Sequence, residues 1–280
     1  MKKTTLILNL LLLCSVAATA QILQSPDSLA ADKKPQADNR ITGNVEMNYL
    51  EHYVWRGMLV GGNDVAQPEL NLKWRKFSLG LIANLNYNPS ALHKENDEKS
   101  TVYDEQDVEI GYSTSFKKFD FECKAIGYFF INQAGATNTA ELYNKTAYNV
   151  NDKLSFFTEN SVDILCSRGS YFNSTGICYS CSFPNKLSIE CNAYANFGNK
   201  KFNAEYFEAE ASGFNMAGAS IEVSKEFGVM YISAAGELNK YTNAAVKAST
   251  GLKSTDNLRD RKSTRLNSSH ERLSRMPSSA

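Results

Sequence analysis

LNLKWRKFSLGLIANLNY, residues 70–87, is the stretch whose reading decides the fold. Leu70, Leu72 and Trp74 alternate with Asn71 and Lys73. After Arg75-Lys76, Phe77, Leu79, Leu81, Ala83, Leu85 and Tyr87 alternate with Ser78, Gly80, Asn84 and Asn86. A period of two puts the apolar set on one face and the polar set on the other, so the stretch reads as an amphipathic β-hairpin. Its second arm has the length of a tilted strand crossing a bilayer, and aromatic residues flank the turn.

The same rhythm recurs on both sides. Val45, Met47, Tyr49, Tyr53 and Trp55 share a face opposite Asn44, Glu46, Asn48, His52 and Arg56, with Glu51 interrupting the apolar row. Val108, Ile110, Tyr112, Thr114 and Phe116 lead through Lys117-Lys118 to Phe119, Phe121, Cys123, Ala125, Gly127 and Phe129. Later segments are weaker but keep the rhythm: Ala140, Leu142, Thr146, Tyr148 and Val150; Leu154, Phe156, Val162 and Ile164; Tyr171, Ile177, Tyr179 and Cys181; Leu187, Ile189, Cys191 and Ala193. Ala217 to Val223, Val229 to Ser233 and a last segment over Ala244, Val246, Ala248 and Leu252 complete eleven or twelve strands.

Connection lengths alternate. Arg75-Lys76, Lys117-Lys118, Asn151 to Lys153, Pro184 to Lys186 and Lys225-Glu226 are short polar turns, and the connections between them are mostly longer. Ser167 to Ser170 is the short exception. A soluble β-sandwich explains the strands equally well but not this alternation. An all-β, antiparallel, up-and-down transmembrane β-barrel of about twelve strands explains both, with short turns in the periplasm and long loops outside. Trp74, Phe77, Phe116, Phe119 and Phe183 beside the short turns, and Trp55 towards the long loops, are then interface aromatics. Glu46, Arg56, Glu69, Lys73, Glu109, Glu122 and Lys124 fall on the polar face and are expected to line the lumen. A water-filled lumen implies passage of small polar solutes, and one plugged by paired charges implies a structural barrel.

Residues 1–20 carry Lys2-Lys3, an apolar core from Leu6 to Val16 and Ala18-Thr19-Ala20, the pattern of a signal peptide cleaved near Ala20. A lipoprotein acylated at Cys14 is the weaker alternative, because Leu13 stands where a small residue is expected. Residues 21–40 read as a flexible polar leader. At the other end, residues 260–270, DRKSTRLNSSH, and 274–280, SRMPSSA, resemble two segments of a translated sequencing adapter in one frame. On that reading the barrel domain is 41–259, its C-terminus is truncated, and 260–280 is an artefact; a basic disordered tail is the alternative. Seven of the 30 basic and two of the 30 acidic residues lie in the first 20 and last 21 positions. The remainder holds 23 basic and 28 acidic residues, about −5, which gives no reason to expect a nucleic-acid partner.

Chemistry for catalysis is poorly supplied. Outside 260–280 there are only His52 and His93, and no nucleophile elbow or phosphate-binding glycine motif is present. No catalytic residue, metal or cofactor is expected. Cys178 and Cys181 have redox-pair spacing, but on a strand three positions apart they fall on opposite faces. The partners expected are outer-membrane lipid and small polar solutes, and the oligomeric state is open.

Tyr53-Val54-Trp55-Arg56-Gly57, then Gly61-Gly62, Gln67-Pro68-Glu69-Leu70 and the hairpin, resembles the start of the TorF-like porin family of Gram-negative bacteria. The resemblance is good over residues 44–87 and stylistic beyond. It implies an outer-membrane barrel with porin function. Within the motif, Arg56 is expected near the outer mouth, either tuning the pore or paired with a nearby carboxylate. A non-conducting barrel binding a partner through the charged loop of residues 92–100, and a soluble periplasmic β-sandwich binding module, are the other functional readings.

Overall fold

The structure, a computed structural model, describes residues 40–51, 53–59, 64–87, 105–131, 136–249 and 257–267. Residues 1–39, His52, His93, the loop of residues 92–100 and positions 268–280 lie outside them. In chain order the barrel strands are β1 (Ile41–Leu50), β4 (Asp64–Trp74), β5 (Phe77–Tyr87), β6 (Glu105–Phe116), β7 (Phe119–Phe130) and β8 (Thr139–Asn149). They continue as β9 (Leu154–Asp163), β10 (Tyr171–Ser182), β11 (Leu187–Gly198), β12 (Gly213–Phe227), β13 (Met230–Tyr241) and β14 (Asn257–Asn267). Each pairs antiparallel with its neighbours in sequence order, and β14 pairs with β1 to close a twelve-stranded barrel. Two short strands, β2 (Val54–Trp55) and β3 (Met58–Leu59), form a separate hairpin between β1 and β4. Helices α1 (Lys200–Phe207) and α2 (Ala244–Ser249) lie in the β11–β12 and β13–β14 connections.

Which side of the wall faces inward follows from what touches the β2–β3 hairpin. Trp55 meets Tyr128 of β7, and Arg56 meets Glu141 of β8 and Phe172 of β10. The rows alternating with these residues face out, and they carry the exposed apolar side chains: Met47, Leu79, Ile110, Phe121, Leu142, Phe156, Ile177, Ile221 and Ile232. Ile110 is 62 % exposed, whereas Glu46, across the wall, is 3 % exposed. This is the inverse of a soluble domain, and it exposes an apolar band of the kind hydrocarbon solvates.

The opening hairpin is β4–β5, in the register Leu70↔Leu81, Leu72↔Leu79 and Trp74↔Phe77. Its turn residue Arg75 takes φ 55°, and Lys117 and Lys186 take φ 54° and 63° in equivalent turns. Left-handed turn residues match the strand twist and keep these connections short. The β9–β10 connection is also tight: Asp163 Oδ1 accepts from Leu165 N (2.9 Å) and Ser167 N (3.1 Å), closing it without a longer loop.

Several expectations need correction. The first strand ends at Leu50, so Trp55 belongs to the internal hairpin and is not an interface aromatic. Period-two alternation carries across Glu51 and does not mark where a strand leaves the wall. The segment at Ala244 to Ala248 is helix α2, not a strand; alanines suit a helix, and Asn243 accepts from Ala245 N and Val246 N at its start. The turn expected at Lys225-Glu226 sits at Gly228-Val229, because Gly228 takes φ 65° freely.

Candidate functional site: the lumen and its plug

Trp55 and Met58 pair across Arg56-Gly57, and both turn residues have positive φ, 50° and 88°. That is a two-residue hairpin turn of the type that usually carries Asn-Gly. Gly57 is required twice over, since a Cβ there would lie 2.8 Å from the Met216 thioether and the φ is left-handed. The Tyr241 hydroxyl donates to Gly57 O and ties the tip to β13.

The hairpin does not stand alone. Trp55 packs against Tyr206 of α1 at 5.0 Å and Phe202 at 6.2 Å. Phe172, Phe202, Phe207, Ala209, Tyr241 and Val246 form one buried cluster with it, at the end of the barrel that carries the longer connections. Helix α1 is held by Asn199, whose side chain accepts from Phe202 N at 2.8 Å, and by reciprocal amide bonds between Asn203 and Asn215 of 2.9 and 2.6 Å. A hydrophobic plug therefore fills part of one mouth.

Arg56 projects from the plug to the wall. Its Nη1 lies 2.8 Å from Glu141 Oε1 and its Nη2 2.5 Å from Oε2, a bidentate pair, and Tyr128 OH donates to the same Oε2 at 3.1 Å. The guanidinium also sits 4.3 Å from the Trp55 ring centroid and 5.0 Å from that of Phe172. Burial alone would lower its pKa, but the Glu141 carboxylate outweighs it and the net direction is upward, so Arg56 stays charged.

Further down the interior the wall is ionic. Lys124 Nζ lies 3.0 Å from Glu109 and 3.4 Å from Glu122, and Lys145 lies 2.6 Å from Glu159. Glu69 accepts from Asn48 Nδ2 at 2.8 Å, and Glu46 is buried on the same row of β1. Lys73 is exposed near the short-turn end, opposite Thr42 and Ser78. On β11–β13, Tyr194 OH lies 2.6 Å from Glu237 and 2.8 Å from Asn239, while Glu190 and Glu222 face each other across the register. Glu141, Glu159 and the Tyr194 network carry no motif, so no sequence signal singles them out. Only their inward parity marks them.

The expected interface aromatics other than Trp55 sit at the short-turn end and are exposed: Trp74 and Phe77, with rings 6.3 Å apart, Phe116, Phe119 and Phe183. Cys178 pairs in register with Asn192 on the inner row and Cys181 with Ile189 on the outer, and both are free thiols. Among the described residues no group of three His, Cys, Asp or Glu side chains is placed to hold a metal ion.

Comparison with solved structures fits the wall. A structure described as the KdgM porin superposes with TM-score 0.51 at 11% identity, covering 80% of this chain and 98% of that one. The fold is that of a porin barrel. The NanC porin (TM-score 0.49, 8% identity, 80% and 98% covered) and the COG4313 outer membrane channel of Pseudomonas putida F1 (0.45, 9%, 86% and 100%) are more distant. No protein-family model matches the chain, and no curated protein matches it in sequence.

Proposed function

We propose that this chain is a porin-like channel for small polar solutes in the outer membrane of a Gram-negative bacterium, of the TorF-like kind, and not an enzyme. A signal peptide directs it there and is cleaved near Ala20; the short turns face the periplasm and the plugged mouth faces out. The observation that carries this reading is the inverted wall: β1 and β4 to β13, each antiparallel to its neighbour, present an apolar exterior around an ion-paired interior, and none of them draws on residues 260–280. Charges such as Lys124 and Glu109 are affordable there because water and opposite charges solvate them. Liposomes containing the refolded protein are expected to swell in isosmotic arabinose and not in a large dextran. Swelling equal to that of empty liposomes would remove the channel function.

One observation favours a second reading. The apolar cluster around Phe202 occupies part of the mouth, as expected of a non-conducting barrel that binds a partner through its outer loops. Binding that survives deletion of residues 92–100 would count against that version.

We also propose that residues 260–280 are translated adapter. What supports this is the sequence alone: residues 260–270 and 274–280 match two adapter segments in one frame at the adapter's own separation. Genomic DNA amplified without adapters should depart from DRKSTRLNSSH after residue 259, and a match through 280 would end this reading.

A further inference from the structure

Most of the barrel's outward face is apolar along its middle, as on β5 with Leu79 and Leu81 and on β12 with Ala217, Ala219, Ile221 and Val223. The middle of β8, β9 and β10 is different. Asn144 pairs in register with Asn160 and Asn160 with Asn173; one tier nearer the short turns, Thr146 pairs with Thr158 and Thr158 with Thr175. Six polar side chains thus form two adjacent tiers on the outer wall. Apolar residues bracket them along the strands, Leu142 and Val162 on one side, Tyr148, Phe156 and Ile177 on the other. These strands belong to the segments where the two-residue rhythm of the sequence is weaker.

The tiers are bonded to each other. Asn160 Nδ2 donates to Asn144 Oδ1 at 2.8 Å, Asn173 Nδ2 reaches Asn160 Oδ1 and Thr158 Oγ1 at 3.0 Å each, and Thr175 Oγ1 lies 3.0 Å from Thr158 Oγ1. Tyr171 OH donates to Asn160 Oδ1 at 2.6 Å. Capacity is left over: among the described residues the exposed Asn144 amide finds no acceptor for its own N–H groups. Acyl chains offer none either, and a carboxamide in hydrocarbon without a partner is costly. Beside the ladder a groove of about 560 Å³ runs along the same outer face, lined by Tyr112, Cys123, Leu142, Asn144, Asn160 and Tyr171.

We infer that this face is where a second copy of the barrel docks within the membrane. The inference rests on the proposed membrane setting. A carboxamide carries both donors and acceptors, so a two-fold-related copy presenting the same ladder satisfies the leftover groups with no other partner needed. The groove next to it receives apolar side chains of the opposing copy, so ridge and recess lie on one self-complementary patch. A lipid fills the groove but cannot bond the amides, which is why a second copy is the occupant the chemistry selects.

The test uses the full chain, extracted from membranes in mild detergent and analysed by sedimentation equilibrium, beside a variant combining Asn144→Leu, Asn160→Leu and Asn173→Leu. Leucines on the outward row suit lipid, so the variant is expected to fold and to keep the gel-mobility change on heating that marks an intact barrel. Wild type should sediment at twice the monomer mass, and the variant should associate at least tenfold more weakly. A monomeric wild type, or a variant that dimerises unchanged, would overturn the inference. So would a different co-purifying polypeptide lost from the variant, which would give the face to another protein. If wild type shows no heat-modifiable form, the membrane setting itself fails, and that failure is visible separately from mass.

Discussion

Arg56 and Glu141 are the pair on which the plug's position turns. Removing one charge leaves the other buried without its partner, which typically costs 3–5 kcal/mol. Arg56→Ala is therefore expected to lower stability by about 3 kcal/mol in urea unfolding followed by Trp55 fluorescence. The combined Arg56→Met, Glu141→Leu variant should recover most of that loss, since it leaves no orphaned charge. An Arg56→Ala barrel as stable as wild type would show that the pair does not anchor the plug. The sequence placed Arg56 near a mouth and near a carboxylate, because the aromatic-x-aromatic-Arg-Gly stretch is local. It did not identify Glu141, which lies 85 residues away in the chain and meets Arg56 only once the barrel has closed. Trp55 was misplaced for a related reason: an alternating row looks the same whether the strand stays in the wall or folds off it.

At the scale of elements, period-two patterning located β5, β6 and β7 well, because their outward rows hold unbroken apolar runs: Leu79, Leu81 and Ala83 on β5, Val108, Ile110 and Tyr112 on β6, Phe119, Phe121 and Cys123 on β7. It was weakest on β8 to β10, where Asn and Thr interrupt the outward row. Alternation also does not fix a turn's residue: the β12–β13 reversal follows the glycine at 228, not the charged pair before it. Three of the other short turns place a non-glycine residue in a left-handed conformation, at Arg75, Lys117 and Lys186, with Lys117 at φ 54°. Lys117→Gly relieves a cost of about 1–2 kcal/mol and gives back part of it in unfolded-chain entropy. A net gain of roughly 0.5 kcal/mol in urea-unfolding stability is expected, and a loss would mean that the Lys117 side chain contributes to the turn. Gly57→Ala should act oppositely, loosening the plug hairpin, since both its φ and the nearby Met216 exclude a Cβ. Its readout is faster proteolysis in the β2–β3 segment with the barrel still heat-modifiable.

For the whole molecule, the question is how an apolar plug and an ionic lumen share one barrel. Phe202 is the centre of the plug cluster, in contact with Trp55, Phe172, Tyr206 and Phe207. Phe202→Ala opens space at the mouth without touching the wall, and unitary conductance is expected to rise above that of wild type. Unchanged conductance would place the narrowest point elsewhere, among the ion pairs of Lys124 and Lys145. The channel itself is tested most directly by single-channel recording of the refolded protein in planar bilayers in 1 M KCl. Discrete, reproducible conductance steps from heat-modifiable protein are the predicted result; a correctly folded barrel that inserts and passes no current would contradict it.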